Sequence, residues 1–143
     1  MPDVTIIAGS ESDAELVKKV EAVLQEFGVS FESHIASAHR NSEKVREIVK
    51  NSKAKVFIGI AGLSAALPGV IASHTARPVI GLPRNVKLEG LDSLLSTMQM
   101  PSGVPVATVG IDNAKNAALL AVEILAVGDE KLTKKLKEFR GKK

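Results

Sequence analysis

The sequence predicts an α/β protein, a three-layer sandwich with a central parallel sheet. Two observations carry the prediction. Short runs rich in Val, Ile and Phe alternate along the chain with longer segments of helical period. The third such run, Lys55 to Ile60, is apolar on both faces, as a strand at the centre of a parallel sheet must be. Crossovers between parallel strands are right-handed, and ligands gather beyond the carboxyl ends of the strands. The segments that follow the strands are therefore the place to look for chemistry.

The first strand is the Val4-Thr5-Ile6-Ile7-Ala8 run, which enters Gly9-Ser10-Glu11-Ser12-Asp13 before a long amphipathic segment. A strand feeding a tight turn onto a helix N-terminus leaves backbone N–H groups unpaired beside the positive end of the helix dipole, which suits an anion. Gly9 lets the backbone come close, and Ser10 and Ser12 can donate to phosphate oxygens. Asp13 would repel a phosphate at contact and suits a sugar hydroxyl. The alternative is that Ser12 or Asp13 simply caps the helix. From Asp13 to Phe27, Leu16, Val17, Val20, Val23, Leu24 and Phe27 share one helical face, and Gly28 ends the helix.

Ser30 to Ala36 reads as a second strand, leading into Ser37-Ala38-His39-Arg40; Asn41 is placed to cap a helix over Ser42 to Asn51. After the third strand, residues 61–69 turn into an apolar helix running towards His74. Pro78 to Leu82 is a fourth strand, ending at Pro83. A loop and a short helix cover Arg84 to Met98. Val104 to Gly110 is a fifth strand, Asn113 to Val127 a helix, and Gly128 breaks the chain before a charged helix over Asp129 to Arg140. No repeat, low-complexity tract or linker divides the chain, so one domain over residues 1–143 is expected.

Composition narrows the function. No stretch is long and apolar enough to span a membrane, no secretory signal pattern stands at the N-terminus, and there is no cysteine for a disulfide or thiolate metal site. A cytoplasmic protein is expected. The net charge of +3 is concentrated in residues 129–143, which hold seven Lys/Arg against three Asp/Glu. With no Tyr or Trp and only four Phe, a base-stacking platform is missing, so nucleic acid is not an expected partner. Two segments, Ser64–Ala76 and Asn113–Val127, are apolar around most of their circumference. That pattern calls for cover on all sides and predicts a homo-oligomer.

His39 follows a strand directly, between a small residue and an arginine, and so belongs on a ligand-facing loop. An imidazole, with an ordinary pKa of ~6.5, both gives and takes protons near neutrality. The guanidinium of Arg40 suits a phosphate. His34, inside a strand, and His74, at the end of an apolar helix, read as structural. No set of His and carboxylate residues has the clustering a metal needs.

Gly9-Ser10-Glu11-Ser12-Asp13, Ser37-Ala38-His39-Arg40, Leu67-Pro68-Gly69 and the Gln99 to Thr108 segment together resemble the PurE family of purine biosynthesis, as does Asn116-Ala117-Ala118-Leu119-Leu120-Ala121. The resemblance runs in order along essentially the whole chain. It implies a flavodoxin-like fold and an octamer with active sites at subunit junctions. Class I members of the family interconvert N5-carboxyaminoimidazole ribonucleotide and 4-carboxy-5-aminoimidazole ribonucleotide; class II members carboxylate aminoimidazole ribonucleotide with CO2. By the resemblance, Ser10, Asp13 and Arg40 match nucleotide-binding positions and His39 the general acid–base. Ser12, Ser37, Gly62, Ser64, Ala66 and Leu67 complete the expected substrate-binding set. It implies no metal and no organic cofactor.

The chain departs from class I in one place. Class I members read Gly-Gly-Ala-Ala-His-Leu-Pro-Gly after the third strand, and this chain reads Gly62-Leu63-Ser64-Ala65-Ala66-Leu67-Pro68-Gly69, with Ala66 at the histidine position. Its Ala-Gly-x-Ser opening is similar to class II, whereas Arg40, Leu67-Pro68-Gly69 and Gln99 are on the class I side. A mutase is the favoured expectation and a CO2-dependent carboxylase the alternative. A LarB-like nucleotide carboxylase, or a non-enzymatic nucleotide-binding domain, ranks behind both.

Overall fold

The computed structural model describes residues 2–142. Five parallel strands form one sheet in the order β2-β1-β3-β4-β5, the flavodoxin-like order. They are β1 (Val4–Ala8), β2 (Phe31–Ile35), β3 (Val56–Ala61), β4 (Val79–Pro83) and β5 (Ala107–Thr108). Six α-helices connect and flank them: α1 (Ala14–Glu26), α2 (Ser42–Asn51), α3 (Leu67–Ser73), α4 (Leu91–Met98), α5 (Ala114–Ala126) and α6 (Glu130–Gly141).

The period-two alternation of the strands divides the core into two layers. Val4, Ile6, Ile58, Ile60, Ile80 and Leu82 face a cluster built with α1 and α5, against which α6 adds Leu132. Ile7, Phe57, Ala61 and Val79 face the other cluster, built with Val45 and Val49 of α2 and Leu67 and Ile71 of α3. β1, β3 and β4 are buried at every residue, as strands covered on both faces must be.

α3 is held close to the sheet by glycine. Gly59 and Gly81 are register partners on β3 and β4. A Cβ on either would come within 3.3 Å of the Pro68 ring, and one on Gly81 would also overlap Thr97 Cγ2. Pro68 therefore sits in a shallow made by two missing side chains. A Cβ at Gly69 would lie 2.9 Å from Met100 Sδ, so the Leu67-Pro68-Gly69 and Gln99-Met100 segments meet in space.

The structure corrects three expectations. The helix expected over Ser64–Ala76 spans only Leu67–Ser73. In a longer helix the Pro68 ring would clash with the carbonyl of Ser64, and Ser64 instead takes a left-handed turn conformation, φ 33°. The fifth strand is two residues rather than seven, since Pro105 has no N–H for the ladder and only Ala107 and Thr108 pair with β4. The apolar circumference of α5 is covered within the chain, by α1 and α6 as well as by β3 and β4. A stripe of exposed apolar side chains, Leu88, Leu91, Leu95 and Met98, runs along α4 and the turn before it, and Val127 is exposed at the C-terminal end of α5. The basic C-terminal segment is a docked helix. Asp129 caps it, Arg140 pairs with Glu123, and Lys135 donates to the Phe27 carbonyl.

Candidate active site

The sheet order reverses between β1 and β3, and the segments beyond their carboxyl ends open a cavity of about 180 Å³. Gly9, Ser10, Ser12 and Asp13 line it from β1, and Ser37, Ala38, His39 and Arg40 from β2. Gly62, Ser64 and Leu67 line it from the segment after β3, and Arg84 and Val86 from the one after β4. Nine of the ten expected catalytic and substrate-binding residues thus share one mouth. Ala66 is not among the lining residues; it is the N-cap of α3.

The turn after β1 is built by a reciprocal capping box. Ser10 Oγ accepts from the backbone N–H of Ser12 (3.2 Å), and Asp13 Oδ2 accepts from the backbone N–H of Ser10 (3.1 Å). The capping residue is therefore Ser10, in place of the Ser12 or Asp13 cap considered from sequence. Asp13 itself opens α1 without a side-chain cap. The Ser12 hydroxyl lies 3.0 Å from Ser10 Oγ and donates to it. With both lone pairs of Ser10 Oγ so engaged, its own proton is left for a ligand.

The loop after β2 follows the same logic. Ser37, 8% exposed, accepts from the backbone N–H groups of His39 (3.2 Å) and Arg40 (3.1 Å). Its hydroxyl proton is likewise unspent. Asn41 holds the N-cap position of α2 without a side-chain bond, and its backbone N–H donates to the Ser37 carbonyl. His39 and Arg40 are exposed at the rim. His39 is the one histidine lining the cavity among the described residues. His34 lies on the edge strand β2 and His74 caps the C-terminus of α3, both away from the mouth.

Arg84 was not singled out in the sequence. Its Nη1 lies 3.1 Å from Asp13 Oδ1 and 3.0 Å from Ser12 Oγ, bringing a second guanidinium to the mouth from β4. The only sequence signal was its place directly after a strand. Asp13 is 2% exposed. Burial raises its pKa, opposed by the Arg84 charge and by N–H groups of Ser10 and Gly9. Leu63 and Val86 add exposed apolar surface to the rim. No group of three or more His, Cys, Asp or Glu suited to a metal occurs among the described residues. The arrangement offers hydroxyl donors and a guanidinium for an anion, a buried acceptor for hydroxyls, and an imidazole for proton transfer.

The profile of the AIR carboxylase family matches residues 3–143. The N5-carboxyaminoimidazole ribonucleotide mutase of Methanocaldococcus jannaschii is 62% identical, over 97% of this chain and 88% of that protein. The protein of the same name from Thermotoga maritima is 48% identical, over 98% of this chain and 84% of that protein. The crystal structure of Treponema denticola PurE superposes with a TM-score of 0.86 at 32% identity, covering 99% of this chain and 91% of that one.

Proposed function

The chain belongs to the AIR carboxylase family, and from that premise we propose that it is an N5-carboxyaminoimidazole ribonucleotide mutase of purine biosynthesis. It would interconvert that compound and 4-carboxy-5-aminoimidazole ribonucleotide. The observation that carries the reading is the convergence of Ser10, Asp13, Ser37, His39 and Arg40 on one cavity.

The parts divide by chemistry. The unspent hydroxyl protons of Ser10 and Ser37, with the Arg40 guanidinium, bind the phosphate. Asp13, buried and acceptor-only when ionised, takes the sugar hydroxyls. Gly62, Ser64 and Leu67 wall the end where the ring lies. The carbamate C–N bond breaks, releasing CO2, and the nitrogen takes a proton from His39. The neighbouring ring carbon then attacks the retained CO2, and His39 recovers a proton from that carbon. The cycle closes with no net proton gained or lost. General acid–base catalysis of this kind contributes ~10²–10⁴-fold. Holding CO2 against the ring turns a bimolecular capture into an intramolecular one.

The working form is a homo-oligomer, an octamer by the family resemblance. The cavity of about 180 Å³ falls below the roughly 300–1,000 Å³ of small-molecule sites. Its rim and the adjoining α4 face expose Leu63 (64%), Leu88 (72%) and Leu91 (52%). A second copy both covers that apolar surface and extends the site. No described helix is long and apolar enough to cross a membrane. The cytoplasm is the proposed location, in keeping with the purine-biosynthesis reading.

A CO2-dependent carboxylase is the second reading, favoured by Ala66 and by the Ala61-Gly62-Leu63-Ser64 opening. Product analysis separates the two. A mutase converts N5-carboxyaminoimidazole ribonucleotide without added bicarbonate, and a carboxylase forms product rapidly from aminoimidazole ribonucleotide and bicarbonate. His39→Asn abolishes conversion in either case, and full activity of that variant would remove the mechanism.

A further inference from the structure

We infer that Arg84 is a positioning residue, which fixes the Asp13 carboxylate as the acceptor for the substrate's sugar hydroxyls. The inference rests on the site reading above and assigns a role to a residue outside the expected set. Arg84 starts at the end of β4 and reaches past the end of β3 to the turn after β1, joining residues 71 apart in sequence. Its Nη1 serves Asp13 Oδ1 and Ser12 Oγ at once, so one nitrogen sets the carboxylate relative to the capping turn.

The base of this arm is itself moored. The Arg84 N–H donates to the Ala61 carbonyl at 3.1 Å. The fully buried hydroxyl of Ser93 lies 2.9 Å from the Arg84 carbonyl and 2.6 Å from that of Gly62, tying the segments after β3 and β4 together. Gly62 permits the approach, since a Cβ there would overlap Val86 Cγ2. A side chain held at its root on two strands, and spent at its tip on a buried carboxylate, is built to set that carboxylate's position.

Charge points the same way. Asp13 Oδ2 is held by the Ser10 N–H, and Arg84 is its one ion-pair partner among the described residues. His39 and Arg40 face it across the cavity from the β2 side, Glu11 lies exposed on its own turn, and the segment after β3 brings no charge. Without Arg84, a carboxylate that burial already disfavours loses its main counter-charge and retains a proton to higher pH. A protonated Asp13 binds the sugar hydroxyls less well, a loss felt in binding rather than in the chemical step.

The test is steady-state kinetics with 4-carboxy-5-aminoimidazole ribonucleotide from pH 5 to 8 on wild type, Arg84→Met, Arg84→Gln, Arg84→Lys and Asp13→Asn. The inference expects Arg84→Met to raise KM by about tenfold at the acid end of the range, with the acid limb of the KM profile moving to higher pH and kcat changing little. Arg84→Lys, which keeps the charge, should restore most of the loss. If Asp13→Asn raises KM while the Arg84 variants match wild type in KM and in its pH profile, Arg84 has no positioning role and the site reading stands. If Asp13→Asn leaves KM unchanged, the sugar contact is wrong and the inference falls with it. Loss of fold in Arg84→Met leaves Arg84→Gln to decide, since that variant keeps a donor without the charge and should show the same upward move of the acid limb, and an unmoved limb would overturn the inference.

Discussion

Ser37 Oγ lies 3.1 Å from the backbone nitrogen of Arg40 and accepts its hydrogen bond. That bond, with its neighbour to the His39 N–H, makes one buried hydroxyl responsible for the loop carrying both the proposed acid–base and the proposed phosphate ligand.

Ser37→Ala is therefore predicted to weaken nucleotide binding more than it slows chemistry. A hydrogen bond to a charged group contributes ~1.5–3 kcal/mol. The expected result is a KM raised by about one to two powers of ten, with a smaller fall in kcat as His39 loosens. Steady-state kinetics on the purified variant check this. An unchanged KM would place the phosphate away from the β2 loop.

Asp13→Asn is predicted to trade function for stability. Burial raises the Asp13 pKa in the folded protein, with Arg84 and the Ser10 and Gly9 N–H groups opposing it in part. The folded state thus holds the proton more tightly than the unfolded chain. Asp13 then contributes most to stability below its unfolded pKa, and that contribution is lost as pH rises through the folded value. The asparagine does not titrate. The Tm of Asp13→Asn relative to wild type should therefore rise as pH increases from about 4, the unfolded value, through the higher folded one, while substrate binding is lost. Calorimetry at a series of pH values from acid to neutral measures it. A relative Tm that falls with rising pH would show that Arg84 outweighs burial.

Much of this architecture was legible because local signals and tertiary demands agreed. The Val4–Ala8 run, the hydroxyls after it and the Ser37 to Arg40 segment all sit where alternating strands and helices place them. Misreadings came where one residue outweighed a pattern. Pro68 cut the apolar run from Ser64 to Ala76 down to a seven-residue helix, and Pro105 shortened the fifth strand to two residues. The apolar circumference of α5 was read correctly as needing cover, but the cover comes from α1 and α6 of the same chain, which periodicity cannot show. Arg84 escaped notice because nothing local distinguishes an arginine after a strand. Its meaning lies in a carboxylate 71 residues away.

The α4 stripe yields a prediction about assembly. Leu91 and Leu95 are 52% and 41% exposed in the single chain, and charges there would repel across an interface between copies. Light scattering should give the wild type a mass many times 15.1 kDa. The double substitution Leu91→Glu, Leu95→Glu should reduce that mass and lower activity while preserving helical content. A monomeric wild type, or a double variant with unaltered mass, would remove α4 from the interface.

The central claim is that CO2 released from the substrate is recaptured before it escapes. The most direct measurement follows labelled bicarbonate in the medium during turnover of unlabelled N5-carboxyaminoimidazole ribonucleotide. The account predicts that 4-carboxy-5-aminoimidazole ribonucleotide forms with the substrate's own carboxyl, its label lagging far behind product formation. Product that acquires the medium's label as fast as it appears would contradict it.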